Sequence, residues 1–220
     1  MMKRLGILAI LPLALALASC QSGKESDTVR IGKLLYAQIS GKFGDDAISR
    51  ERVVSIPYAT LGVRLGGSME GLFVLTGASG DDLQWLGGQI SLSTRNGRVT
   101  RTVGLPHNLD GFQGPFPDQP NAAASGQGTY HYVYDLVDRN AYGVVVRCSQ
   151  SDTGPETITI IGLNHNTRHI VEHCEAAQLK WSFQNDFWVD AATGAVWKSI
   201  QYVNPDLDSL TIQTLRPAKG

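Results

Sequence analysis

"ISLSTRNGRVTRTV" (90–103) decides the fold class. Two runs of alternating, β-branched character flank Asn96-Gly97, and both of those residues tolerate positive φ, so the stretch reads as a tight β-hairpin. The same grammar continues on either side. GLFVLTG, TYHYVYDLV, YGVVVRC, ETITIIG, HIVEHCE, KWSFQND, FWVD, AVWKSIQYV and LTIQTL are short β-type runs punctuated by Gly, Asn, Asp and Pro. That pattern predicts a mainly β protein, an antiparallel sheet system that is barrel-like or a sandwich. A helix is expected ahead of it over 27–41: Asp27 serves as N-cap, Val29, Ile31, Leu34, Leu35 and Ile39 follow at helical spacing, and Gly41 and Gly44 end it. The stretch 106–128 holds four prolines and no period, which predicts a long loop.

The chain opens on MMKRLGILAILPLALALASC, with Lys3 and Arg4 before an apolar run too short to span a bilayer comfortably. Small residues then lead into Cys20, the layout of a lipoprotein signal peptide over 1–19. Cys20 becomes the lipidated N-terminus, and 20–26 a small, polar tether. Gln21 follows in place of the aspartate that favours inner-membrane retention, which points to the outer membrane. Removing the first 19 of 220 residues leaves 201, enough for one domain with a real core, over 27–220. The mature chain carries 17 basic against 20 acidic residues, which is no nucleic-acid profile.

Cys148 and Cys174 remain, each within a strand-like run. An oxidising compartment and an even count point to a disulfide between them; the alternative is two separate buried thiols. Three other groupings invite chemistry. His165, His169 and His173 recur every four residues beside Glu172 and Glu175, which on a helix would suit zinc. The β-branched neighbours favour a strand instead, where residues four apart stand ~13 Å from one another, so no metal or other cofactor is expected. Asp186 and Asp190 straddle Trp188 in the manner of a glycosidase pair, but strand spacing again sets them too far apart. No nucleophile elbow, HExxH helix or phosphate-cradling loop is present, and no catalytic residue is assigned.

"NDFWVDAATGAVWKSIQ" (185–201) reads as a hairpin with Gly194 in its turn. If Asp190 opposes Ala195, Trp188 falls opposite Trp197 on one face, and a one-residue bulge would break that pairing. The two tryptophans are then either core packing or a platform for sugar rings.

Together with the lipidation site, "VSIPYATLGVRLGG" (54–67), "LQWLGGQISLSTRNGRVTRTVGL" (83–105) and "NDFWVDAATGAVWKSIQYVNPDL" (185–207) resemble segments of the YjbF/GfcB family of group 4 capsule and exopolysaccharide lipoproteins. The resemblance implies a β-rich, lipid-anchored protein on the periplasmic face of the outer membrane, working in polysaccharide production or export. It implies as partners a large outer-membrane barrel protein and a periplasmic β-rich protein, and it supplies no catalytic residues. Trp85, Asn96, Arg98, Arg101, Trp188, Trp197 and Lys198 are the candidates for a surface that meets glycan or partner. Two rival readings are a carrier of lipids or lipoproteins with an apolar cavity, and a polysaccharide-modifying enzyme using carboxylates among Asp186, Asp190, Glu172 and Glu175.

Overall fold

The computed structural model describes residues 48–68, 70–117 and 129–218. The helix expected over 27–41, the signal peptide and Cys20 lie outside the described residues. One short helix, α1 (Arg50–Ser55), begins where the Ser49 side chain accepts a hydrogen bond from the Arg52 amide. Twelve strands follow: β1 (Thr60–Leu65), β2 (Gly71–Ser79), β3 (Asp82–Gly87), β4 (Ile90–Arg95), β5 (Arg98–Val103), β6 (Gly111–Pro117), β7 (Thr129–Leu136), β8 (Ala141–Ile160), β9 (Leu163–Ala176), β10 (Trp181–Asp190), β11 (Val196–Gln201) and β12 (Leu210–Arg216).

They form one antiparallel sheet in the order β5-β4-β3-β2-β1-β12-β11-β10-β9-β8-β7-β6. Sequence neighbours pair except β5 and β6, which form the two edges, and β1 joins β12, so the sheet curls into a nearly closed barrel. At the seam the Thr102 amide donates to the Leu109 carbonyl, and the Leu109 amide donates to Thr102 Oγ1. These bonds bring β5 to the lead-in of β6 without a continuous ladder. The strand alternation sends Leu61, Val63, Phe73, Trp85, Leu92, Tyr132, Tyr134, Val144, Val146 and Ile212 into one interior core. Leu105, Leu109, Val203 and Leu207 plug one end, where buried Asn204 donates to the Asn108 carbonyl.

Two expectations change on contact with the structure. The loop expected over 106–128 contains β6, an edge strand whose pairing with β7 shifts between Gln113 and Phe116. Proline is tolerated there because an edge strand leaves half of its amides without a ladder partner. The runs YGVVVRC and ETITIIG are parts of one 20-residue strand, β8, bent by a register shift between Asp152 and Gly154. KWSFQND and FWVD likewise join as β10. Cys148 and Cys174 sit opposite each other on β8 and β9 and form a disulfide.

The interior is not one open lumen. Gln201 on β11 accepts from the Val99 amide at 3.0 Å and donates to the Gly97 carbonyl at 2.8 Å, tying β5 to a strand far from it in the sheet order. Gly97 has φ +78, and a Cβ there would stand 2.5 Å from the Val196 Cβ. Only glycine lets the β4–β5 turn approach β11 this closely.

Candidate functional site

The pinch at Gln201 leaves a cavity of about 510 Å³ between β1–β4 and β11–β12, at the barrel end opposite the plug. Leu61, Leu75, Leu83, Trp85, Val196 and Ile212 supply its apolar wall, and Asn96 and the Thr193–Gly194 turn stand at its mouth. Trp85 is 3% exposed, and its indole Nε1 donates to Thr94 Oγ1 at 2.9 Å. Asn96, at φ 50, forms the β4–β5 turn with Gly97, as its sequence predicts.

Trp188 and Trp197 lie elsewhere, on the outer side of β10 and β11. The Asp190 amide donates to the Ala195 carbonyl, as the expected hairpin requires. A register shift then pairs Trp188 with Lys198 and Val189 with Val196, leaving Trp197 as the extra residue of a bulge. The tryptophans are therefore not opposite one another. Trp188 is 7% exposed, packed with Val53 of α1, Leu215, and Ile158 and Ile160 of the long β8–β9 hairpin. His169 stacks on its ring with centroids 4.6 Å apart, and Lys198 Nζ lies 4.3 Å from its centroid. Its Nε1 is buried without a hydrogen-bond partner among the described residues. His169 in turn bridges Asp186 Oδ1 at 2.8 Å and Glu156 Oε2 at 3.4 Å.

Trp197 is half-buried under the ring of His165, with centroids 3.9 Å apart, and donates from Nε1 to Asp190 Oδ2 at 2.8 Å. Asp190 Oδ1 accepts from the Ala192 and Thr193 amides and from the Thr193 hydroxyl. The indole donor, followed by these turn donors, holds the Asp190 carboxyl at about 2, well below its ordinary 3.8. Burial lowers the His165 pKa, against the opposing pull of Asp190.

Arg98 occupies a third environment. Its side chain is 15% exposed, and its Nη2 lies 2.8 Å from Oε1 of Glu172, which is 1% exposed. Glu172 also accepts from the Tyr132 hydroxyl at 3.1 Å and from Asn185 Nδ2 at 3.0 Å. The guanidinium lies over the rings of Tyr132 and Phe187. Burial works against its charge, but Glu172 beside it raises its pKa above the ordinary arginine value. Burial likewise pushes the Tyr134 hydroxyl up to about 12. Arg101 is exposed on β5 opposite Ser93.

The seven candidate residues thus divide among four places. Trp85 and Asn96 belong to the cavity; Trp188, Trp197 and Lys198 to the outer face; Arg98 to the interior; and Arg101, from the same strand β5, to the exposed surface. The three histidines stand on a strand, β9. Cys148, Glu172 and Cys174 bring ligand-type atoms within 4.8 Å of one another, but the sulfurs are bonded together and the carboxylate is held by Arg98. Sequence reading missed Trp181, Phe183 and Tyr202. Trp181 stacks on Phe183 at 4.0 Å, and all three line a cleft of about 320 Å³ beside Gln184 and Asp186.

A sequence model of the family described as group 4 capsule polysaccharide lipoprotein GfcB, YjbF matches residues 35–215. The lipoprotein GfcB of Escherichia coli K12 is 28% identical over 211 residues, spanning 93% of this chain and 95% of that protein. The crystal structure of the hypothetical lipoprotein YmcC from Escherichia coli K12 aligns with a TM-score of 0.65 and 25% identity, covering 90% of this chain and all of that one.

Proposed function

The chain belongs to the YjbF family of group 4 capsule polysaccharide lipoproteins, and from that premise we propose that it is a non-catalytic accessory protein in capsule or exopolysaccharide production or export. It is held by an acylated Cys20 on the periplasmic face of the outer membrane and acts by binding protein partners of the polysaccharide system, an outer-membrane barrel protein among them. The family match over 35–215 carries this reading. Lipid anchorage confines the protein to the surface where export occurs and raises its effective concentration there.

The environment of the carboxylates supports a binding role over a catalytic one. Glu172 is buried against Arg98, Asp190 organises a turn, and Asp186 is held by His169 and Gln184. Each has a structural task. The burial of Trp85 and Trp188 favours a protein partner over a sugar-stacking platform, because a ring that stacks on glycan must present its face to solvent.

The test is complementation of a deletion strain. Asp186→Asn, Asp190→Asn and Glu175→Gln chains that accumulate normally are expected to restore surface polysaccharide, whereas Cys20→Ala, which removes the anchor, is expected to fail. Loss of polymer in any well-folded carboxylate variant, with catalytic turnover detectable in the parent protein, would reject the non-catalytic reading.

A further inference from the structure

We infer that the cavity at the open barrel end is a binding site for an acyl chain borne on an uncharged or zwitterionic headgroup. Its volume, about 510 Å³, falls within the ~300–1,000 Å³ typical of small-molecule sites. The chemistry of its wall selects the ligand. Leu61, Leu75, Leu83, Val196 and Ile212 are apolar, and the hydroxyls among them are already engaged. Thr94 Oγ1 accepts from Trp85 Nε1, Ser199 Oγ accepts from Gln201 Nε2, and Thr214 Oγ1 donates to the Val196 carbonyl. A sugar would bring many hydroxyls to a wall whose Thr94, Ser199 and Thr214 hydroxyls already carry bonds within the protein, leaving them poorly matched. An alkyl chain makes no such demand.

The mouth sets the headgroup. Among the described residues Asp81 is the one charged side chain lining the cavity, and it stands exposed at the rim. It disfavours a free carboxylate there and tolerates a neutral or zwitterionic group. The turn carrying Asn96 and the Thr193–Gly194 turn flank the same opening. The described chain also enters the barrel at this end: Thr60, the first residue of β1, pairs with Arg216, and Pro217 and Ala218 line the cavity just beyond. Two sources of acyl chain fit this chemistry, the chain's own lipidated N-terminus and a lipid or lipoprotein drawn from the membrane.

The experiment uses a lysophosphatidylcholine whose stearoyl chain carries two bromines, below its micelle concentration. Bromine quenches tryptophan on contact, and Trp85 is the tryptophan in the cavity wall. The expected result is saturable quenching at about one probe per protein. Leu75→Phe and Ala78→Phe, which fill the cavity from β2, are expected to weaken binding on the order of tenfold or more. Ala195→Phe at the mouth serves the same purpose should either fail to fold, as judged by circular dichroism. Trp85→Phe is expected to lose most of the quenching while retaining binding of a radiolabelled probe.

Running the titration on the lipidated protein and on Cys20→Ala separates the sources. Probe accepted only by Cys20→Ala means that the protein's own acyl chain occupies the site; probe accepted by both means an exogenous lipid. Unsaturable quenching, equal quenching in the filled variants, or displacement of the probe by a capsule oligosaccharide would overturn the inference. Because these measurements use isolated protein, they stand or fall apart from partner binding in the envelope.

Discussion

Replacing Arg98 by methionine isolates the most buried ion pair among the described residues. The substitution keeps an unbranched side chain but removes the cation 2.8 Å from Glu172, a carboxylate 1% exposed. Tyr132 and Asn185 remain as neutral donors to it. Stranding one member of a buried pair costs ~3–5 kcal/mol, since the remaining charge keeps its desolvation penalty and loses its compensation. For a domain of this size each kcal/mol lowers Tm by roughly 2–4 °C, so a fall of about 6–20 °C is expected. Urea unfolding with the disulfide intact, followed by tryptophan fluorescence, measures the loss as a lower midpoint at unchanged slope. The double variant Arg98→Met with Glu172→Leu should recover much of it, because an apolar replacement of both partners removes the unpaired charge. If Arg98→Met alone falls within about 0.5 kcal/mol of the parent, the pair behaves like an exposed one and the reasoning fails.

Other perturbations have equally definite expectations. Replacing Cys148 and Cys174 by alanine opens a loop of sequence separation 26 and should cost about 3.5 kcal/mol by the chain-entropy relation, read from urea midpoints of oxidised parent and variant. Trp188→Ala removes a ring packed between α1 and the β8–β9 hairpin and should cost ~3–5 kcal/mol, while half-buried Trp197→Ala should cost less; reversal of that order in thermal melts would contradict the burial described. Asp190 has a folded pKa of about 2 against an ordinary 3.8, so its contribution is present above about pH 4 and is lost as pH falls toward 2. Trp197 fluorescence should report loosening of the β10–β11 turn over that window, and Asp190→Asn should abolish the transition.

Much of this architecture is legible in the sequence because strand alternation and turn chemistry are local. Asn96-Gly97 specifies its turn through two positive φ values, and Asp190 to Ala195 closes as the sequence predicts. What escapes is non-local. The bulge at Trp197 shifts the second tryptophan out of register by one residue, and nothing in AVWKSIQ marks it. Arg98 and Glu172 lie 74 residues apart, so no spacing rule joins them. Glu172 nevertheless left a trace: it shares a parity with Cys174 and Ala176, both buried toward the core, and a carboxylate at an inward position needs a cation. The cavity had no sequence signal, because it arises from Gln201 reaching across the interior to Gly97 and Val99. β6 was hidden by its prolines, which only its place at the sheet edge makes tolerable.

We propose that this lipoprotein works by docking a protein partner at the membrane surface. Its most direct test is co-purification of the lipidated protein from native envelopes in mild detergent, with folded Trp188→Ala and Trp197→Ala variants alongside, followed by identification of bound protein and sugar. The expected result is recovery of an outer-membrane barrel protein with no stoichiometric glycan. Glycan that accompanies the parent protein and disappears in the folded tryptophan variants, without any protein partner, would contradict it.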